Sequence, residues 1–130
     1  MRKSIATSAA TAALFALLAG NASALEKRTY DASAFAAAQK AGKSILVDVH
    51  AVWCHICWSQ KAVLSNLESD PKFKNLVVFS VDYDGDKENL RRFNAQKQST
   101  LIVFKGGQEL GRSVGDTNPV SIKALLSKAL

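Results

Sequence analysis

Two cysteines, Cys54 and Cys57, stand three apart at the end of the apolar run Ile45-Leu46-Val47-Asp48-Val49, and they are the only cysteines in the chain. A bridge that closes so small a loop removes little entropy from the unfolded chain, so the pair does not serve as a structural staple. Its position predicts exchange chemistry instead. The apolar run reads as a central strand covered on both faces. The residues after Cys54 read as a helix with Ala62, Val63, Leu64 and Leu67 on its apolar side, ending before Asp70-Pro71. A thiol at the first turn of a helix meets unpaired amide hydrogens and the positive end of the backbone dipole, both of which favour the reactive thiolate. Cys54 is therefore the expected nucleophile and the more exposed thiol, and Cys57, one turn later, the thiol that resolves a mixed disulfide.

Elsewhere the chain alternates helices and strands with short connections and no internal repeat. Glu26 to Tyr30 reads as a polar lead. Asp31 caps a helix over 31–40 that Gly42 stops. Leu76-Val77-Val78-Phe79-Ser80-Val81 is a second apolar strand, followed by an acidic turn and a short helix through Leu90 and Phe93. Thr100-Leu101-Ile102-Val103-Phe104 and the segment from Gln108 to Ser113 form a hairpin about Gly106-Gly107, antiparallel because its turn is so short. Asn118 and Pro119 open a last helix with Ile122, Leu125, Leu126 and Ala129 as its stripe. At 48% hydrophobic and 22% charged over 130 residues, this is one α/β domain able to bury a core, not a disordered chain.

Residues 1–24 read as a secretory signal peptide, with Arg2 and Lys3 as the positive start, an apolar stretch, and Ala22-Ser23-Ala24 as the cleavage signal, leaving residues 25–130 as the mature domain. The expected location is an oxidising compartment, periplasmic or secreted. The formal charge of +6 includes Arg2 and Lys3, and the lysines are scattered, so the dense basic stripe of a nucleic-acid partner is missing.

Around the dithiol, Asp48 is an acid in an apolar strand, where desolvation raises a carboxyl's proton affinity. Strand alternation puts Asp48 and His50 on one face and Val47 and Val49 on the other, which makes Asp48 a candidate to exchange a proton with Cys57 through water. His50 lines the same site or is a packing histidine. His55 either stabilises the thiolate when protonated or is an exposed helix-start residue without a role. Trp53 is a candidate docking surface over the nucleophile, and Trp58 half-exposed packing. Four atoms from Cys54, Cys57, His50 and His55 also match a zinc or copper set in number, so a metal-binding or partner-docking module is the alternative function; no further Cys or His supplies the second ligand pair that zinc sites recruit. Haem attachment needs a histidine directly after the second cysteine, where Trp58 stands.

The segment from Ile45 to Cys57, with Asp48 six residues before Cys54 and Trp53 directly before it, resembles the active-site strand and loop of the thioredoxin superfamily. The run from Thr100 to Gly107 is similar to that family's later hairpin. With the leader, the likeness leans to exported thioredoxin-like reductases. The resemblance implies the thioredoxin fold, a central mixed β-sheet flanked by helices. It also implies Cys54 as nucleophile, Cys57 as resolving thiol and Asp48 as buried acid, with no cofactor, protein thiol or disulfide substrates, and a membrane electron-transfer thiol partner. Two departures stand out. Ser99 occupies the place of the family's cis-proline before Thr100, and is expected trans because a non-proline cis bond costs about 2.5–4 kcal/mol. That puts substrate-backbone pairing at this loop in doubt. His55-Ile56 matches neither the Gly-Pro of the cytosolic reductase nor the Pro-His of the strongly oxidising enzyme, which leaves the direction open, reduction being the expected one.

Overall fold

Strand β2, Ser44–His50, organises the domain in the computed structural model, which describes residues 25–130. Ile45, Leu46, Val47 and Val49 are fully buried, so the strand can only lie inside a sheet covered on both sides. It pairs in parallel with β3, Val77–Asp82, and antiparallel with β4, Thr100–Lys105. Beyond β3 lies β1, Glu26–Thr29; beyond β4 lies β5, Gln108–Val114. The order β1-β3-β2-β4-β5 makes a mixed five-stranded sheet.

The segment expected as a polar lead is therefore a strand. All four residues of β1 are exposed, so no apolar alternation marks it, and backbone pairing with Val77 to Ser80 holds it at the sheet edge. The preceding Leu25 is buried in the core and anchors it.

Each sheet face has its own core, as alternation along β2 dictates. Ile45, Val47 and Val49 join Phe35 of α1 (Ala32–Lys40) and Leu90 of α3 (Lys87–Arg92), together with Phe79, Phe93 and Phe104. Leu46 points the other way, to Val63 and Leu64 of α2 (His55–Leu67) and Ile122, Leu125 and Leu126 of α4 (Pro119–Ser127). Caps close the helices where the sequence places them: Asp31 accepts from the Ala34 amide, and Asn118 from that of Val120, with Pro119 at the first position. Ala62, expected on the apolar side of α2, is exposed, and Gln60 is buried in its stead. At the β4–β5 turn, Gly106 has φ +55° with the Gln39 carbonyl 3.3 Å from where a Cβ would stand, so only glycine fits.

Candidate functional site

The sheet face that carries Asp48 and His50 runs directly into the dithiol. After β2 the chain turns through Ala51, Val52 and Trp53, and the Cys54 amide bonds back to the Ala51 carbonyl at 3.1 Å. Cys54 then caps α2: its Sγ accepts a 3.1 Å hydrogen bond from the Cys57 amide. A sulfur in the N-cap position takes the place of the usual Ser or Asp oxygen, and this is the geometry that favours a thiolate. The two sulfurs are joined as a disulfide, their Cα atoms 5.2 Å apart.

Cys54 is not the more exposed thiol. It is 3% accessible and Cys57 6%, because Ala51 and Tyr83 pack against the pair. Exposure belongs instead to the residues around them: Val52, Trp53, Ile56 and Trp58 form an apolar rim, Val52 at 79% and both tryptophans at 53%. The Trp53 indole N–H donates to Asp84 Oδ2 at 2.8 Å, tying the rim to the loop after β3. That of Trp58 donates to the Val52 carbonyl at 3.0 Å, and the His55 ring stands edge-on to Trp58, centroids 4.5 Å apart.

Behind the dithiol lies a cavity of about 390 Å³. Asp48, His50 and Cys57 all line it, together with Lys27 from β1, Lys61 from α2 and Ser80 from β3. Burial pushes the Asp48 carboxyl above the usual carboxylate range, against the opposing fields of His50, Lys27 and Lys61. His50 is half-buried and its Nδ1 is buried with no hydrogen-bond partner among the described residues. Within the described residues no three of His, Cys, Asp and Glu converge as a metal-ligand set.

Ser99 and Thr100 stand at the start of β4, beside the end of β2 through the Val49–Thr100 pairing, and do not line the cavity. The Ser99 peptide is trans, with φ at +58°, a left-handed conformation uncommon for a non-glycine. Its carbonyl is taken: it accepts from the Gly115 amide at 2.9 Å and from Gln60 Nε2 at 3.1 Å. Thr100 Oγ1 donates to Lys97 O at 2.6 Å. Gln60, which also donates to the Asp116 carbonyl at 2.9 Å, is the residue that sequence reasoning missed. Its signal was there: Cys57, Gln60 and Leu64 share one face of α2 at spacings of three and four.

Residues 25–128 match the Thioredoxin family model. The chain belongs to the thioredoxin family. Among curated thioredoxins it is 33% identical to that of Mycobacterium tuberculosis over 97 residues, covering 75% of this chain and 83% of the relative. It is 38% identical over 85 residues, 65% of the chain, to the bifunctional thioredoxin reductase/thioredoxin of Mycobacterium leprae, of which it spans only 18%. Among solved structures, Trxlp from Edwardsiella tarda superposes with a TM-score of 0.76 at 39% identity, covering 78% of this chain and 99% of that one. The mixed five-stranded sheet is the thioredoxin fold, and this family member is a thiol–disulfide oxidoreductase with its Cys-x-x-Cys pair at Cys54 and Cys57.

Proposed function

We propose that this thioredoxin-family oxidoreductase is exported and reduces protein disulfides through the Cys54-His55-Ile56-Cys57 dithiol. The observation that carries the reading is the Cys54 Sγ in the N-cap of α2, bonded by the Cys57 amide, with Asp48 and Cys57 facing one cavity. Cys54 thiolate attacks a substrate disulfide, forming a Cys54–substrate mixed disulfide and releasing one substrate thiolate. Asp48, as carboxylate, takes the proton of Cys57 through cavity water. Cys57 thiolate then attacks Cys54 Sγ, the intramolecular disulfide forms, and the second substrate thiolate leaves and is protonated by solvent. The apolar rim, Trp53 foremost, supports docking of an exposed protein segment over the sulfurs.

The signal-peptide reading of 1–24 falls outside the described residues. It is the basis for placing the protein in the periplasm or outside the cell, where no soluble dithiol pool restores the reduced form. A membrane electron-transfer thiol partner is therefore the expected donor. The direct test is reduction of insulin disulfides driven by dithiothreitol, with N-terminal sequencing of the exported protein. Turnover that Cys54→Ser abolishes, in a protein beginning at Leu25, is expected; a wild-type chain without turnover refutes the enzymatic part, and an unprocessed cytosolic chain refutes the export part.

A further inference from the structure

We infer that His50 is the proton outlet of the cavity: it accepts the Cys57 proton from Asp48 and delivers it to solvent. This rests on the exchange mechanism above and adds a residue to it. The need arises from burial. Asp48 is desolvated and holds a proton more firmly than an ordinary carboxyl, so it can draw the Cys57 proton only once a proton already on it has been passed on, and among the described residues its carboxyl makes no hydrogen bond. Of the polar groups lining the cavity, Lys27 and Lys61 are cations with no lone pair to offer, and Ser80 is a neutral hydroxyl. His50 alone offers a ring that can accept a proton at one nitrogen and donate from the other.

Three observations place it for that task. It lies two residues from Asp48 on the same face of β2, and both line the cavity that reaches Cys57. The residue is half-buried, not sealed in the core as Val47 and Val49 are. Its Nδ1 is buried and has no hydrogen-bond partner among the described residues, whereas a packing histidine would be satisfied by a neighbour. The groups around it do not compete for that atom. Asp82, its register partner on β3, accepts the Asp84 amide at Oδ1, and the Tyr83 hydroxyl reaches the Gln96 carbonyl. Lys27 from β1, Lys61 from α2 and Asp48 complete the charged set.

The sequence of bonds balances. Through cavity water, Cys57 S–H breaks and Asp48 O–H forms; again through water, Asp48 O–H breaks and His50 N–H forms; the imidazolium then loses a proton to bulk water. No electron moves in these steps, and the disulfide exchange itself is unchanged.

The test is single-turnover oxidation of the reduced chain by insulin from pH 5 to 9, quenched with an alkylating agent so that the Cys54 mixed disulfide and its decay are both counted. In His50→Gln, decay of the mixed disulfide near pH 7 is expected to slow about a hundredfold, at the low end of the effects of general acid–base groups. Added imidazole, which the cavity can admit, restores it, and the rate at which iodoacetamide modifies Cys54 stays at the wild-type value. His50→Ala, which vacates the ring's space, must lose the same step and recover with imidazole in the same way. Decay and pH profile equal to wild type, or a loss that imidazole leaves untouched in both variants, overturns the assignment. Wild-type exchange with unaltered variants sinks this inference alone; no exchange by wild type sinks the underlying mechanism with it.

Discussion

Replacing Asp48 by Asn should make the protein more stable and a poorer enzyme, and the two effects come from one cause. The carboxyl is desolvated by the sheet and α2, and the nearby charges of His50, Lys27 and Lys61 only partly offset that burial. Its folded-state pKa lies above that of the unfolded chain. As pH rises from the unfolded value, near 3.9, through the folded one, the unfolded chain has released a proton that the native state still holds, so stability falls across that window. Above it the native protein carries a buried charge at a fixed cost of about 1.4 kcal/mol for each unit of displacement. Asn keeps the shape without the charge. The expected gain at pH 8 is on the order of 1–3 kcal/mol, the range measured for poorly satisfied buried polar groups. For a domain of this size each kcal/mol raises Tm by roughly 4–8 °C. Urea unfolding of the oxidised wild type and Asp48→Asn at pH 8 and pH 4 reads the effect directly. The advantage should be present at pH 8 and shrink toward zero at pH 4, while the rate of mixed-disulfide decay falls about a hundredfold at neutral pH. A variant less stable than wild type at pH 8, or an advantage that does not change with pH, would refute the claim that Asp48 is held there at a cost for proton transfer.

Further outcomes test the other parts of the site. Cys57→Ser should accumulate a stable mixed disulfide with insulin at Cys54, visible by non-reducing gel and mass spectrometry, whereas Cys54→Ser should not; the reverse pattern would exchange the two roles. Gln60→Leu removes both bonds from the amide to Ser99 and Asp116 while filling its buried space, and is expected to destabilise by about 1–3 kcal/mol in chemical unfolding. A neutral result would mean that the two carbonyls are satisfied without it. Trp53→Ala should raise KM for a protein disulfide severalfold and leave the rate with a small aromatic disulfide near wild type, since Trp53 belongs to the exposed rim and not to the cavity; equal losses with both substrates would argue for a structural role through Asp84.

What could be read from the residues, and what could not, divides along physical lines. Asp48 and His50 were legible because a strand has period two, and a central strand with one acid leaves few ways to place it. Cys54 as a helix cap was legible because the dithiol sits where an apolar run ends and a helical pattern starts. The edge strand Glu26–Thr29 was not, since its pairing is entirely backbone and all four of its residues are exposed. The spacing of Cys57, Gln60 and Leu64 put Gln60 on the inner face of α2, but its role escaped because its partners are carbonyls from two distant loops. The burial of Cys54 likewise depends on Ala51 and on Tyr83, which β3 delivers from more than twenty residues away. Ser99 was expected trans and is so; that its carbonyl turns inward to Gln60 and Gly115 is tertiary information that no local rule supplies.

The claim that Cys54 and Cys57 form a working exchange couple is tested most directly by the reduction potential of the pair, measured by equilibrating residues 25–130 against glutathione or dithiothreitol buffers. The account predicts a single two-electron transition near the thioredoxin end of the scale, about −270 mV. A value near −120 mV would make the protein a disulfide-forming oxidant, and the absence of any cooperative dithiol transition would contradict the exchange mechanism itself.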